Sequence, residues 1–584
     1  MRLIEYYVRL LLTFPEMQVH VQTNVTRTTL SRELDCTERN VIYILNKLED
    51  KNWIKVKRGK GRGHTTAITF LKTIEEMFAI YEKQSPRTED IERLVTILET
   101  KNTDQRFIHL LMQMLFGART PQVEGGEYES LKIPYFRSIY SLDPAQAERQ
   151  TERHLVRQIF NTLVTYNEKS KEIEASLSHY WEVDDDGKQF TFHLRKGIMF
   201  HHSKRLEAKD VQFTFERLKV TSANWIVQDL DSITCMGKHR IQFTFRKPSY
   251  HWISLLTSSK CSIVPFAYGN KPKDAFAKRP IGTGPYKIKE HETNFMKLSV
   301  HQDYFQERAH MDEIDLFILP SLEKYLHASD IVEESNLYIP FTTSSHIGDR
   351  FNYVERTRLS VKYLMWNIKK ERIRTNEALR RTLSMIVDKE RMVNELGYPR
   401  YQPASSFMKN SPPDQYLDRD VVREEINDPL LVITYDLEPH KKDVDWIKKT
   451  CEYHGIPLKI KILPYADFWN DIERADLVLF EYVTEESEEV SLFHLFRTGT
   501  GLINNLLDSD RKANLQQIIQ TAYLQEEEQE RLKVLEKADQ LLCGQAFTIP
   551  LYWTFQKALY HKNIIGTTLN TLGLVPFKNL FYKK

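Results

Sequence analysis

The chain is poor in cysteine and has no long apolar run, and both absences narrow its class. Its five cysteines, at positions 36, 235, 261, 451 and 543, form no CxxC pair, which is typical of incidental thiols in a reducing compartment. No run of 18 apolar residues exists, so no transmembrane helix is predicted. The opening residues, MRLIEYYVRLLLTF, carry Glu5 and lack a small-residue cleavage site, so no export signal is indicated and we expect a cytoplasmic location.

Motifs of catalysis are also missing. The sequence contains no HExxH, GxSxG or P-loop pattern, so we expect neither an enzyme nor a bound cofactor. His193, His201 and His202 could suggest a metal site. However, the last two are adjacent in a predicted strand, IMFHH, and neighbouring strand residues point to opposite faces. We therefore predict no metal site.

A length of 584 residues, 41% of them hydrophobic, indicates a globular chain of two to four domains. The net charge of +2 conceals an asymmetry. Residues 1–72 hold 13 Lys and Arg against 7 Asp and Glu, while the remainder is mildly acidic. A basic N-terminal region favours a polyanionic partner for that region alone.

This basic region has the pattern of a winged helix-turn-helix. Residues 3–14 have helical spacing, Thr28 or Thr29 can cap a second helix through Leu34, and Thr37 can cap a third helix. The face of the third helix expected to pack inward carries Val41, Ile44, Leu45 and Leu48. The opposite face, predicted to read base edges in the major groove of double-stranded DNA, carries Arg39, Asn40, Tyr43, Asn46 and Lys47.

Two predicted strands, 53–57 and 65–71, flank the glycine-rich basic segment RGKGRGH and would form the wing. Its glycines allow the loop to lie along a phosphate backbone, where cations displace counterions. The residues predicted to contact phosphates are Lys55, Lys57, Arg58, Lys60, Arg62 and His64. Alone, such a hairpin could equally be solvated surface; the helices before it favour DNA binding.

Helical spacing continues through residues 73–118 and predicts a connector of two or three helices. Its apolar stripe could pack within the chain or form the seam of a homodimer, since many helix-turn-helix proteins bind DNA as dimers. The stripe comprises Phe107, Leu110, Leu111, Met114 and Leu115. The segment RTPQVEGG (119–126) is the predicted hinge between the N-terminal region and the body.

The body, residues 131–584, mixes short strands and helices. Its block WEVDDDGKQFTFHLRKGIMFHHSKRLEAKDVQFTFERL (181–218) and its turn RPIGTGPY (279–286) resemble the signature segments of the family 5 extracellular solute-binding proteins, of oligopeptide and nickel type. This resemblance covers most of the body. It implies a large two-lobed α/β clamshell of the periplasmic-binding-protein type, which would close on a small solute.

The whole layout is similar to the SgrR group of transcriptional regulators, in which a winged head precedes such a clamshell. The segments that carry this likeness are GRGHTTAITFL, HLVRQIFNTL, FHLRKGIMFHHS and NTLGLVPFKNLF. The resemblance implies a response to sugar-phosphate stress, although a shared fold does not fix the ligand.

The ligand cleft has two candidate segments. Glu485 and Glu488 fall near the positions where peptide-binding relatives place acidic residues, one of which can meet a ligand ammonium, and Tyr482 lies in the same stretch. The alternative is a solvated acidic loop. Trp366 and Asn367 end a predicted strand and would either face the cleft or pack in the core.

Together these features predict a multidomain α+β protein. Its expected units are a winged helix-turn-helix (1–72), a helical connector (73–118), a hinge (119–130) and a solute-binding clamshell (131–584). The predicted function is a transcriptional regulator that binds double-stranded DNA and senses a small solute (a sugar, a sugar phosphate or a peptide-like molecule), without a membrane partner. The alternative is a transport-associated solute receptor whose head does not bind DNA.

Overall fold

The computed structural model describes residues 2–14, 19–58, 65–83, 93–94, 97, 111, 115–116, 128–135, 137–319, 338–340, 350–409, 428–497 and 501–583. The predicted wing tip, the 119–126 hinge and most of the connector lie outside these ranges. The helices are α1 Arg2–Thr13, α2 Arg27–Glu33, α3 Glu38–Asp50, α4 Ile74–Lys83, α5 Gln150–Ile159, α6 Ala208–Leu218, α7 Trp252–Leu255, α8 Lys273–Lys278, α9 Glu371–Arg374, α10 Glu377–Ile386, α11 Lys389–Leu396, α12 Glu438–Tyr453, α13 Tyr465–Asp471, α14 Glu488–Arg497, α15 Leu502–Leu506, α16 Ser509–Tyr523 and α17 Glu528–Cys543.

The strands are β1 Gln22–Val25, β2 Ile54–Arg58, β3 Thr66–Phe70, β4 Ser130–Tyr135, β5 Val164–Asn167, β6 Glu172–Ala175, β7 Ser178–Val183, β8 Gln189–Leu194, β9 Leu230–Cys235, β10 Arg240–Phe245, β11 Tyr286–His291, β12 Phe295–Val300, β13 Glu313–Ile318, β14 Tyr338–Ile339, β15 Phe351–Trp366, β16 Arg400–Pro403, β17 Leu430–Tyr435, β18 Leu458–Leu463, β19 Leu477–Val483, β20 Thr548–His561, β21 Ile564–Ile565 and β22 Phe581–Tyr582.

The head combines α1 to α3 with a three-stranded antiparallel sheet of order β1-β3-β2, in which β1 was not predicted. Thr37 caps α3 as expected, since its hydroxyl accepts a hydrogen bond from the Asn40 amide at 3.3 Å. The cap of α2 is a correction. Thr26, not Thr28 or Thr29, holds the extended cap position and accepts from the Thr29 amide at 3.1 Å. Both predicted residues lie within the first turn of α2.

The head has its own apolar core. The four inward residues predicted for α3 (Val41, Ile44, Leu45 and Leu48) are all buried. The ring of Tyr7 on α1 meets Phe70 edge-on at 5.0 Å and Trp53 at 6.1 Å, which fixes α1 against the wing strands. Burial raises the pKa of Tyr7 to about 12, and its hydroxyl donates to the Lys72 carbonyl at 2.6 Å.

The body consists of two lobes. The first contains a four-stranded sheet of order β11-β12-β13-β4 and another of order β7-β8-β10-β9, covered by α5 and α6. The second is built on the sheet β14-β20-β15-β19-β17-β18, with β16 paired to β20. Apolar strands buried on both faces, such as β19, form the centre of this sheet. The predicted two-lobed α/β architecture is confirmed.

Two long antiparallel strands join the lobes. β15 and β20 pair along most of their lengths, with the register interrupted between Thr357 and Val361. At this interruption Arg358 has a φ of +56°, in the left-handed region. β14 pairs with the far end of β20 and lies next to β4 of the first lobe. The same strands therefore belong to the ligand-facing sheet at one end and reach the first lobe at the other.

The last residues also return to the first lobe. The Phe577 amide donates to the Gln158 side chain at 3.0 Å, and the Tyr582 hydroxyl donates to the Ser130 carbonyl at 3.0 Å. The ring of Phe577 meets the ring of the buried His154 edge-on at 4.9 Å. The first lobe is thus assembled from chain segments more than 400 residues apart.

One predicted strand of the body is wrong. The segment IMFHH (198–202) forms no strand: it has a single bridge between Met199 and Arg205 and a turn at its two histidines. His201 folds inward there, and its Nε2 lies 3.0 Å from the Gly284 carbonyl of the GTGPY turn. Helix α5 ends at Ile159, where the chain becomes extended at Phe160.

The head and body share one apolar cluster. Leu115 and Phe116 of the connector are buried in it together with the head core, and Phe116 meets Phe317 of β13 edge-on at 5.2 Å. Lys132 of β4 donates to the Leu115 carbonyl at 3.0 Å. Leu111 is also buried there, so the described part of the connector stripe packs within the chain. Within the described ranges no helix is both long and apolar enough to cross a bilayer.

Candidate functional site

The outer face of α3 is polar and open to solvent. Arg39, Asn40 and Lys47 are exposed, and Tyr43 exposes 60% of its surface. Lys47 lies over the Tyr43 ring at 5.9 Å and 4.0 Å from Asp50. Such exposed side chains are free to reorient toward a partner, because pairs of this kind contribute little to stability.

Asn46 and Arg58 differ from these residues because they bond to each other across the junction of α3 and the wing. Arg58 also lies 3.8 Å from Glu49, whose other oxygen accepts from the Val56 amide at 2.9 Å. These contacts fix the wing strand β2 against α3. Asn46 and Arg58 were predicted to contact DNA, and in this structure they orient the wing.

The remaining predicted wing contacts are divided between two regions. Lys55 and Lys57 are exposed on β2, where they alternate with the inward-facing Ile54 and Val56. Lys60, Arg62 and His64 lie outside the described residues. Their contact with phosphate stays a prediction.

The second candidate site is a cavity of about 760 Å³ between the two lobes. This volume is in the usual range for small-molecule sites. Aromatic side chains provide much of its described wall, namely Tyr140, Tyr363, Tyr435, Tyr465, Trp469, Phe480 and Tyr482. Its described charged and amide residues are Arg137, Glu148, Arg149, Gln150, Arg153, Asp436, Glu481 and Asn505, with His494 beside them.

Arg149 stands between tyrosines of opposite lobes. Its guanidinium lies 5.2 Å from the Tyr140 ring and 5.5 Å from the Tyr465 ring, and it donates to the Ser138 carbonyl at 2.9 Å. Burial raises the pKa of Tyr465 to about 12, so this ring stays neutral at physiological pH. A cation between two rings provides a positive, flat surface on the cavity wall.

The acidic side chains of the wall already have partners within the chain. Glu148 accepts from Lys260 at 2.6 Å, and Asp436 lies 2.6 Å from Lys441. Glu481 accepts from Lys362 at 2.9 Å. Burial alone would raise the pKa of Glu481, but the Lys362 charge and the contact with His440 hold it well below its usual value.

A buried ion pair joins the lobes at the back of the cavity. Arg153 of α5 lies 2.5 Å from Glu485 and donates to the Thr484 carbonyl at 3.3 Å, and both charged side chains are 1% exposed. His494 lies 3.1 Å from the same carboxylate. Burial would raise the pKa of Glu485, but the Arg153 charge and His494 hold it lower, so the carboxylate stays charged. We call Arg153, Glu485 and His494 the clasp.

One turn further along α5, Arg157 pairs with Glu486. Consecutive turns of one first-lobe helix therefore engage consecutive second-lobe residues. Trp225 of the first lobe stacks on the His494 ring at 5.6 Å and closes the clasp on its other side.

The structure separates the predicted cleft residues. Tyr482 lies in the cavity wall and donates to the Ser491 carbonyl at 2.6 Å. Glu485 lies behind the wall with its carboxylate engaged by the clasp, and Glu488 accepts from the Lys409 amide at 2.7 Å. In this structure both carboxylates bind groups of the chain, and their contact with a ligand stays a prediction.

Trp366 and Asn367 lie in the interior of the second lobe. Trp366 is completely buried in the second lobe, and the Asn367 amide donates to the Glu473 and Ala475 carbonyls at 2.9 and 3.0 Å. These contacts give both residues a structural role, which was the alternative interpretation of the sequence.

Sequence reasoning missed Arg149 and Arg153, which α5 presents to the cavity. Both arginines precede the segment HLVRQIFNTL (154–163), which carries a family likeness, but a single sequence assigns them no partners. Their partners lie about 330 residues away, in the case of Arg153 and Glu485. The sequence did contain a signal, because the first four residues of α5 are all polar. In the structure these four residues are buried, as are all but one of the residues of the helix.

No group of three or more potential metal ligands occurs among the described residues. His201, one of the three histidines that could suggest a metal, has a pKa lowered to about 3 by burial. It pins the GTGPY turn by accepting from the Gly282 amide at 3.2 Å.

Solved structures place the body in a known class. A dipeptide-binding protein of Pseudoalteromonas sp. SM9913, in complex with Met-Leu, matches 78% of this chain and all of its own, with a TM-score of 0.67 and 18% identity. The murein tripeptide binding protein of Escherichia coli matches 79% of this chain and 99% of its own, with a TM-score of 0.65 and 18% identity. The body therefore has the fold of the two-lobed periplasmic binding proteins.

The family follows from sequence. The profile of the bacterial extracellular solute-binding proteins, family 5, matches residues 172–501, and the chain belongs to this family. The profile described as sugar transport-related sRNA regulator N-term matches residues 2–120. The chain thus combines an SgrR-type N-terminal region with a family 5 solute-binding body, as the sequence predicted.

Curated relatives match over the full length. The HTH-type transcriptional regulator SgrR of Yersinia enterocolitica is 26% identical over 595 residues, covering 100% of this chain and 98% of its own. The uncharacterized protein YhjP of Bacillus subtilis is 26% identical over 602 residues and covers 100% of both chains. The regulators among these relatives favour the regulator over the transport receptor, and neither the regulators nor the solute-binding neighbours are enzymes.

Proposed function

We propose that this chain is a cytoplasmic transcriptional regulator in which solute binding between the lobes alters how the head sits on double-stranded DNA. The observation that carries the proposal is the continuity of the molecule. A head with an exposed polar helix face shares one apolar cluster with a body that encloses a cavity. We retain the predicted domain boundaries of 1–72, 73–118, 119–130 and 131–584 for this proposal.

On the DNA side, Arg39, Asn40 and Tyr43 would read bases, because their side chains are exposed on the face of α3 opposite the head core. Lys55 and Lys57, with Lys60 and Arg62, would neutralise phosphates. The bond between Asn46 and Arg58 supports this arrangement, since it orients the wing relative to α3.

On the ligand side, the charges of the cavity favour a solute with an anionic or hydroxyl-rich group. The three acidic residues of the wall described above are paired within the chain. Arg149, by contrast, faces the cavity between two tyrosines. A sugar, a sugar phosphate or the carboxylate of a peptide would each suit such a wall.

DNA binding is the direct test of the head. The full chain should bind a random-sequence duplex at low ionic strength, measured by fluorescence anisotropy, and its affinity should fall steeply as salt rises. An absence of binding at low salt, both alone and with candidate solutes, would refute the regulator.

Ligand binding is tested separately by calorimetry and thermal denaturation with glucose 6-phosphate, glucose and trialanine. A solute present at 100 times its Kd should stabilise the body by about 2.7 kcal/mol. Arg149→Ala should weaken the binding of an anionic solute. Arg246→Ala, at an exposed ion pair with Asp231, should leave that binding unchanged. Equal losses in both variants would contradict the role of Arg149.

A further inference from the structure

One buried glutamine connects the wall of the cavity to the part of the body on which the connector packs. Gln556 lies on β20, the strand shared by both ends of the body, and is 4% exposed. Its Oε1 accepts from Gln150 at 2.7 Å, and its Nε2 donates to the carbonyls of Pro340 at 2.7 Å and Gly573 at 2.6 Å. Every strong hydrogen-bonding group of this amide therefore has a partner.

At one end of this chain of bonds is the cavity. Gln150 is the first residue of α5 and part of the cavity wall. The same helix carries Arg153 of the clasp one turn later. Because a helix turn is rigid, a solute that shifts the start of α5 moves the Gln150 amide and the clasp together.

At the other end is the surface that receives the head. Pro340 directly follows β14, whose Ile339 pairs with Leu559 of β20. Ile339 and Leu559 both belong to the apolar cluster that includes Phe116 of the connector and the head core. A displacement of β14 relative to β20 would therefore change the surface under the connector.

We infer that Gln556 is a positioning residue for signal transfer, which couples the state of the cavity wall, through Gln150, to the β14 surface on which the connector packs. This inference rests on the proposed regulator function. The residue touches neither solute nor DNA in this role. Its buried bonds instead make the start of α5 and β14 move as one unit. Such a continuous network of packed and hydrogen-bonded groups can carry coupling between two distant sites.

Coupling is reciprocal, so DNA can be used as the probe in place of an unidentified solute. We would measure hydrogen exchange of the full chain with and without a random-sequence duplex at low ionic strength, following peptides from α5. In the natural chain, DNA should change exchange in α5 by about fivefold or more, the lower end of usual allosteric coupling.

Gln556→Met keeps the side-chain volume but removes the bonds to Gln150 and Pro340. It should keep the DNA affinity of the natural chain while the exchange response of α5 falls below about twofold. Gln158→Met is the matched control. Gln158 is a buried glutamine of α5, the helix that carries Gln150, but its side chain accepts from the Phe577 amide and donates to the His154 carbonyl instead of bonding to β20 or β14. It should retain the full response.

Phe317→Leu provides an independent variant if the loss of buried hydrogen bonds prevents folding. It leaves the bonds of Gln556 intact and removes the ring packing against Phe116, and it should also suppress the response. Failure of the natural chain to bind DNA would refute the proposed function itself. Binding without a response in α5, a full response in folded Gln556→Met or Phe317→Leu, or an equal loss in Gln158→Met would overturn the coupling role alone.

Discussion

The head and the interlobe region use charge in opposite ways. On the outer face of α3, Arg39 and Lys47 are exposed, and Lys47 makes only the solvent-exposed contacts with Tyr43 and Asp50. In the clasp, Arg153 and Glu485 are each 1% exposed and bind each other. One surface therefore leaves charged side chains open to solvent, whereas the other uses its charges to hold two lobes of the same chain together.

The largest difference between the head and the body is expected at low pH. Burial lowers the pKa values of His154, His201 and His440 to about 3, and all three lie in the body. Their unfolded forms gain protons below about pH 6.5, so the body is fully stable above that pH and loses stability as pH falls toward 3. Each histidine should remove about 1.4 kcal/mol per pH unit in this window.

We therefore expect the body to unfold in acid before the head. Pulsed hydrogen exchange between pH 7 and 4 would follow α3 and α5 separately. Simultaneous unfolding of both helices would show that the head has no stability of its own.

Breaking the clasp should have the next largest effect. Arg153→Met leaves the Glu485 charge buried without its main partner, which typically costs about 3–5 kcal/mol. Denaturant unfolding of the body measures this loss. The double variant Arg153→Met with Glu485→Met should recover most of it. Lys449→Met, at an exposed helical pair with Asp445, should change stability by less than about 0.5 kcal/mol. If Arg153→Met were as stable as the natural chain, the buried charges of the clasp would not be holding the two lobes together.

Substitution of the base-reading face should affect recognition without affecting stability. Arg39→Ala or Asn40→Ala should reduce discrimination among DNA sequences by about 1–3 kcal/mol, because each removes a donor group that can pair with base edges. Both side chains are exposed, so the head should stay folded. Selection from a random duplex pool measures this preference. Unchanged sequence preference in both variants would move base reading to another surface.

The smallest expected effect is that of removing one charge from the wing on DNA affinity. Lys57→Gln should weaken binding to all duplexes similarly and reduce the slope of log affinity against log salt by about 0.9, because one phosphate fewer is neutralised. Titration at several salt concentrations measures the slope. Lys219→Gln, on the body surface, is the charge-matched control. An equal reduction in both variants would indicate only a general charge effect.

Local patterns predicted the local structure well. The spacing of Val41, Ile44, Leu45 and Leu48 identified the buried face of α3, because helical periodicity is a property of neighbouring residues. The cap of α2 and strand β1 were missed because several threonines stand together there and β1 is only four residues long.

The cavity was less predictable because it depends on distant partners. The acidic segment 485–489 suggested a solvated loop or a ligand contact, yet Glu485 is buried against Arg153. Trp366 and Asn367 could face either side of their strand, and only the covering elements of the second lobe decide between core and cleft. A single sequence contains no measure of which residues meet across about 330 positions.

The return of residues 577–582 to the first lobe has a consequence for biosynthesis. The helices and strands of the head, through α4, leave the ribosome early, but His154 and Ser130 of the first lobe have partners near the end of the chain. At usual translation rates this interval is roughly 25–100 s. A nascent chain would therefore expose an incomplete first lobe for that time, during which chaperones could protect it.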